Sequence, residues 1–191
     1  KKVLFNTTNG ECAFCGRKVV DNDFDVEHYL PKEQFPYLTY SFENYLCSCK
    51  HCNQNLKKTY YPKSLDSIKQ SLGESILVNE IDGIIAYNKK EILDKTADRI
   101  IEPTFDNIEE HLEFEPFSCT YLVINNSCIG EETYKMFFNH REVVEYLQVI
   151  SNQVYNMVKE GNTKDTILGI GNFGHSFYVE KFYEYWTEFF N

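Results

Sequence analysis

Residues 24–58, FDVEHYLPKEQFPYLTYSFENYLCSCKHCNQNLKK, decide the fold. Phe24 to Leu30 alternates apolar and polar side chains and is stopped by Pro31, the pattern of a short strand. A polar and aromatic loop follows, then a second short apolar stretch, Asn44-Tyr45-Leu46-Cys47, and then Lys50 to Lys58, whose composition favours helix. The order is strand, loop, strand, helix. Such a ββα unit sets an acidic residue and a histidine of the first strand opposite an asparagine at the start of the helix.

A C-x-x-C pair clamps each end of the unit: Cys12-x-x-Cys15 before it and Cys49-x-x-Cys52 at the helix start, with 33 residues between Cys15 and Cys49. The first twenty residues carry no secretory h-region, so a reducing compartment is expected, and there the four cysteines read as thiolate ligands of one structural zinc. Cys47 is a spare that could replace Cys49, but only Cys49 keeps the two-residue spacing to Cys52. His51, inside the second knuckle, is a further alternative ligand. A thioredoxin-like redox pair fits less well because no βαβ pattern surrounds either knuckle. Cys119 and Cys128 read as small core residues.

Working outward, the 191 residues are 42% hydrophobic, 16% aromatic and 25% charged, a globular composition that excludes disorder, collagen and coiled coil. No apolar run approaches the ~20 residues that span a bilayer, so we expect a cytoplasmic protein without membrane attachment. With Lys and not Met at position 1, native residues are expected to precede it. Charge divides the chain: residues 1–62 carry a net +1 and residues 63–191 a net −11. The acidic part repels phosphate at long range and suits a basic protein partner better than nucleic acid.

Beyond residue 62 the pattern is mixed and mainly helical. Ile76 to Ile81 and Ile84 to Tyr87 flank Asp82-Gly83, a strong hairpin signal. A helix over 89–100 should end near Glu102-Pro103. Asp106 to Glu115, with His111, reads as a solvated helix edge or helix-to-strand junction. Residues 117–129 read as one or two strands turning at Asn125-Asn126, and residues 131–159 have the spacing of one long helix or two, ended by Gly161. Gly169 to Gly174 fits G-x-G-x-x-G but lacks the βαβ unit that a dinucleotide loop needs, so it reads as a plain loop. His175 to Asn191 is a helix so aromatic that it is either central to this region or partly docked on another chain. The fold class is α+β.

Glu27-His28-x-x-Pro31, Asn44, and Cys49-x-x-Cys52-Asn53 followed by Lys57-Lys58 resemble the ββα-metal motif of HNH endonucleases, in the zinc-knuckle subtype. More narrowly, residues 25–62 resemble the PtuB group, HNH proteins of Septu and retron-associated antiphage systems, which the YPKSLDS, SILVNE and EPTFDNIEEHLEF stretches match more loosely. The resemblance implies an HNH nuclease core over residues 1–62, with an acidic accessory and partner-binding region over residues 63–191. It further implies DNA as substrate and an ABC-like ATPase of the PtuA type as partner.

Phosphodiester hydrolysis needs a base for water, charge neutralisation on the phosphate and stabilisation of the leaving oxygen. His28 is the expected base, since an imidazole ordinarily titrates near pH ~6.5 and can accept a proton at cellular pH. Glu27 faces the other way along an ideal strand, so a twist or bulge is needed to bring it beside His28. By resemblance, Glu27 and Asn53 would hold one catalytic cation, Mg²⁺ or Mn²⁺, and Asn44 would orient the imidazole. Asn55 competes with Asn53 as the amide ligand. The family spaces Asn and Lys by three residues, whereas Asn53 to Lys57 is four, so Lys57 and Lys58 are equal candidates for a phosphate contact. A second reading keeps the zinc fold but makes the chain a non-catalytic interaction module, which has no need for Glu27, His28, Asn44 and Asn53 together.

Overall fold

The computed structural model describes residues 1–67, 79–81, 84–86, 90, 93–170 and 176–191. A short helix α1 (Lys2–Thr7) leads to the first knuckle, and then β1 (Asp25–His28) pairs antiparallel with β2 (Tyr45–Ser48), Glu27 opposite Leu46 and His28 opposite Tyr45. Two tight 3₁₀ turns, Pro36–Leu38 and Phe42–Asn44, shape the intervening loop. The helix α2 (His51–Lys57) is π-type: Lys58 N–H donates to the Asn53 carbonyl five residues back, at 2.9 Å. A π turn accommodates one residue more than an α turn, and the sequence carries one extra residue between Asn53 and Lys57. The insertion is thus absorbed inside the turn, which points Lys57 inward and leaves Lys58 exposed at φ 50°.

Strands β3 (Asn79–Ile81) and β4 (Ile84–Ala86) pair with Ile81 opposite Ile84, as the hairpin signal requires; the Asp82-Gly83 turn itself lies outside the described residues. The helix expected over 89–100 does not run to its predicted end. Lys90 and Leu93 are helical, residues 89 and 91–92 lie outside the described residues, and the chain beyond Leu93 turns irregular. The buried Arg99 takes the Leu93 carbonyl at 2.8 Å and ion-pairs with Asp106, satisfying by side chain the groups that a longer helix would have satisfied by backbone.

The acidic stretch supplies β5 (Leu112–Glu115), paired with β6 (Thr120–Val123). His111 is a brace there: its Nδ1 meets the Ser127 hydroxyl at 2.7 Å, and that hydroxyl caps the next helix by accepting from Gly130 N–H. Asn125 and Asn126 turn at positive φ, as expected, but into helix α3 (Cys128–Thr133) rather than a second strand. α3 packs so closely that a Cβ on Gly130 would stand 2.5 Å from the His111 carbonyl oxygen. Cys119 is buried, whereas Cys128 is exposed at the first turn of α3 and is not the core residue expected.

α3 runs on as a π turn (Tyr134–Phe138), breaks at Asn139-His140 and resumes as α4 (Arg141–Lys159), which Gly161 terminates at φ 81°. A short α5 (Lys164–Gly169), capped by Thr163, was not legible in the pattern; Gly171 to Gly174 lie outside the described residues. The last helix, α6 (Ser176–Phe190), buries Tyr178, Val179 and Phe182, with the Tyr178 and Phe182 rings edge-on to Phe114 of β5, and meets α4 through Trp186 Nε1, which donates to Ser151 Oγ at 3.1 Å. Its aromatic excess therefore serves the interior, apart from Phe189 and Phe190 at the exposed end.

One hydrophobic core runs from the knuckles to these helices. Phe14 stacks on Phe137 with ring centroids 4.5 Å apart, and the Tyr178 hydroxyl donates to the Cys15 carbonyl at 3.3 Å. A smaller cluster of Leu4, Phe24 and Cys47 fixes α1 on the hairpin. Among the described residues no helix is long and apolar enough to cross a membrane.

Candidate active site and metal centre

The ligand atoms of Cys12, Cys15, Cys49 and Cys52 lie within 4.8 Å of one another, and no other group of three or more His, Cys, Asp or Glu side chains converges this way among the described residues. Zinc at ~2.3 Å from each sulfur sets neighbouring thiolates about 3.8 Å apart; Cys15 and Cys49 Sγ stand at 3.9 Å. Bonding to Cys15, Cys49 and Cys52 pulls the Cys12 thiol down, and bonding to Cys12, Cys15 and Cys49 pushes the Cys52 thiol up. Four cysteine sulfurs converging in so small and buried a space form a donor set that suits structural zinc. Cys47 is buried with Leu4 and Phe24 instead, and His51 lies outside the cluster.

A cleft of about 330 Å³ opens between β1 and α2, lined by Glu27, His28, Lys32, Asn53, Gln54 and Lys58 among others. His28 and Glu27 thus share one cavity although they alternate along the strand, because His28 is the last residue of β1. The imidazole Nε2 lies 3.0 Å from the Thr39 carbonyl oxygen, which also accepts from the Tyr45 hydroxyl at 2.5 Å, and the Tyr45 ring meets His28 edge-on at 5.1 Å. A carbonyl only accepts, so Nε2 carries the proton, and in the neutral imidazole Nδ1 keeps the lone pair. Knuckles, ββα order and a histidine held in this tautomer coincide over a single stretch.

Residues 12–59 match the HNH endonuclease family. The chain is also similar to two curated proteins called Septu protein PtuB. It is 26% identical to that of Bacillus mycoides over 155 residues, 74% of this chain and 46% of the relative. It is 36% identical to that of Bacillus thuringiensis over 55 residues, 28% of this chain and 21% of the relative. The chain therefore spans less than half the length of either. No solved structure matches it.

Within the HNH unit two expected roles move. Asn44 does not reach His28: fully buried, its amide clamps the chain after β1, accepting from Leu30 N–H and donating to the Leu30 carbonyl, both at 2.9 Å. Orientation of the imidazole falls to Thr39, a backbone group with no signature in the sequence. Lys57 is no phosphate contact, being 1% exposed; its ammonium donates to Glu27 Oε1 at 2.5 Å and to the His28 carbonyl at 2.9 Å. Lys58, exposed on the cleft, is the one lysine of the pair that can meet a phosphate. Asn53 lines the cleft, whereas Asn55 is exposed and turns to His51 Nδ1 at 3.3 Å. Asp25, unnoticed in the sequence, accepts from the amides of both Asn53 and Gln54.

Burial pushes the Glu27 carboxyl up and the Lys57 ammonium down, each opposed by the other's charge. Removing one partner leaves a buried charge uncompensated, a loss of about 3–5 kcal/mol, whereas neutral, well-packed replacements of both lose far less. Lys57→Met is therefore expected to unfold at markedly lower denaturant than wild type, and Glu27→Gln/Lys57→Met to recover most of that stability. Equal midpoints for wild type and Lys57→Met would show that the pair does not hold α2 to β1.

Proposed function

We propose that this chain is a metal-dependent endonuclease that hydrolyses phosphodiester bonds of DNA, and that it is the nuclease subunit of an antiphage complex with an ABC-like ATPase of the PtuA type. The observation that carries this reading is the cleft itself, which Glu27, His28 and Asn53 line together and where His28, held through Nε2, has no hydrogen-bond partner on Nδ1 among the described residues. In it, His28 Nδ1 takes the proton of the attacking water, and the Thr39 carbonyl steadies the imidazolium that results, since Nε2–H already points at it. Glu27 and Asn53 are the residues that would hold Mg²⁺ or Mn²⁺. A carboxylate and an amide oxygen fit such hard cations, which keep several waters and often rest on one or two carboxylates plus substrate phosphate. When bound, the cation neutralises phosphate charge and stabilises the leaving oxygen. Lys58 and Lys32 at the cleft rim would contact the backbone of the substrate.

The net charge of −11 over residues 63–191 supports a division of labour in which that region meets a protein partner and DNA is delivered to the N-terminal cleft. Similarity to PtuB, in a chain spanning under half of those relatives, supports the defence setting and the ATPase. The ion pair that occupies Glu27 favours the second reading, a zinc-stabilised module without catalysis. Incubating the purified chain, alone and with a PtuA-type ATPase, with supercoiled and single-stranded DNA in Mg²⁺ or Mn²⁺ separates the two. Cleavage that requires the divalent cation is expected, and intact DNA under every combination would leave only the interaction module.

A further inference from the structure

Asp25 lies two residues before Glu27 on β1, so strand alternation sets the two carboxylates on one face. Yet they meet different partners: Glu27 lines the cleft and pairs with Lys57, whereas Asp25 is not among the residues that line it. Asp25 Oδ2 accepts from Asn53 Nδ2 at 2.9 Å and from Gln54 Nε2 at 2.9 Å. An ionised carboxylate offers only acceptors. The end of the Asn53 amide that faces it must therefore be the NH₂, and Oδ1 is turned to the opposite side.

We propose that Asp25 is a positioning residue, fixing the Asn53 amide so that its carbonyl oxygen, and not its NH₂, is presented to the catalytic cation. This rests on the reading of Glu27 and Asn53 as the cation-holding pair. The two ends of a carboxamide are nearly equal in size, so packing alone selects between them weakly, while their polarities are opposite: one coordinates a cation and the other repels it. A carboxylate behind the amide makes that choice by hydrogen bonding, and Lys57 leaves the neighbouring carboxylate, Glu27, directed away from this task.

Asp25→Asn keeps the shape but can accept or donate, so it no longer dictates the flip. Loss of a group that orients a ligand typically lowers metal affinity ~10- to 100-fold. The test is Mn²⁺ binding to the full, zinc-loaded chain, read by the electron paramagnetic resonance of free Mn²⁺, for wild type, Asp25→Asn, Asn53→Ala and the double variant. Asp25→Asn should bind Mn²⁺ about 10- to 100-fold more weakly with zinc content and melting unchanged, and should weaken Asn53→Ala no further. In cleavage, its half-saturating Mn²⁺ should rise by the same factor while the rate at saturating Mn²⁺ recovers. Wild-type Mn²⁺ affinity in Asp25→Asn overturns the proposal, as does an equal further loss in the Asn53→Ala background, which would make Asp25 a ligand itself. A wild-type chain that binds no Mn²⁺ overturns it together with the cation-holding pair. The nuclease reading is judged separately, by cleavage in His28→Ala, which the affinities do not enter.

Discussion

His28→Ala is expected to lower DNA cleavage by at least about 100-fold, the lower end of the ~10²- to 10⁴-fold that a general base contributes. The loss should fall on the chemical step. His28 Nε2 is committed to the Thr39 carbonyl, and among the described residues the only other donor on that carbonyl is the Tyr45 hydroxyl, which survives the substitution. The loop over 36–44 thus keeps its anchor, the zinc cluster is untouched, and substrate binding through Lys58 and Lys32 should barely change. The measurement is single-turnover cleavage with Mg²⁺ or Mn²⁺ and the ATPase partner supplied, beside zinc content and a melting curve for the variant. Wild-type rates in a folded His28→Ala protein would remove the base from the mechanism and hand the chain to the interaction-module reading. Tyr45→Phe offers a graded companion: with one donor fewer on Thr39, the imidazole should be less firmly held and the rate modestly reduced.

Why some of this site could be read from the sequence and some could not follows from what each residue bonds to. The knuckles are legible because zinc demands four thiolates at short local spacing, so Cys12, Cys15, Cys49 and Cys52 announce themselves. The strand order around them is legible because Phe24 to Leu30 alternates and Pro31 stops it. Asn44 sits in the unit the motif indicates, but its amide bonds the backbone of Leu30 and not His28, and a backbone partner carries no residue signature. The same holds for the Thr39 carbonyl on His28. The sequence leaves Lys57 and Lys58 equal because a single extra residue can either rotate a helix or be swallowed by a π turn, and only the packing of β1 against α2 decides between them. In the C-terminal region the pairing of 79–81 with 84–86 and the Gly161 stop agree with the sequence reading, whereas β5 hid in a stretch whose charges look solvated, since only Leu112 and Phe114 face inward.

Zinc removal is expected to have the larger effect on the fold. One equivalent of zinc should be found per chain, and Cys12→Ser, or chelation of wild type, should unfold the N-terminal third. Apparent binding free energies at structural cysteine sites are of order 10–16 kcal/mol, as large as the ~5–15 kcal/mol that separates a whole folded domain from its unfolded chain. The local secondary structure is slight: β1 and β2 form a two-stranded sheet of four residues each, which is only marginally stable by itself in water and relies on the clamp together with the packing of α1, α2 and the core. The damage should also travel. Cys15 accepts from the Tyr178 hydroxyl and the adjacent Phe14 stacks on Phe137, so losing the first knuckle uncovers the faces of α6 and of the π turn that the core holds together. Loss of near-ultraviolet circular dichroism from the buried tyrosines, in step with zinc release, would report that coupling. A chain that contains no zinc by elemental analysis, or a Cys12→Ser protein with wild-type melting and full activity, would show that the four thiols stabilise the hairpin by packing alone.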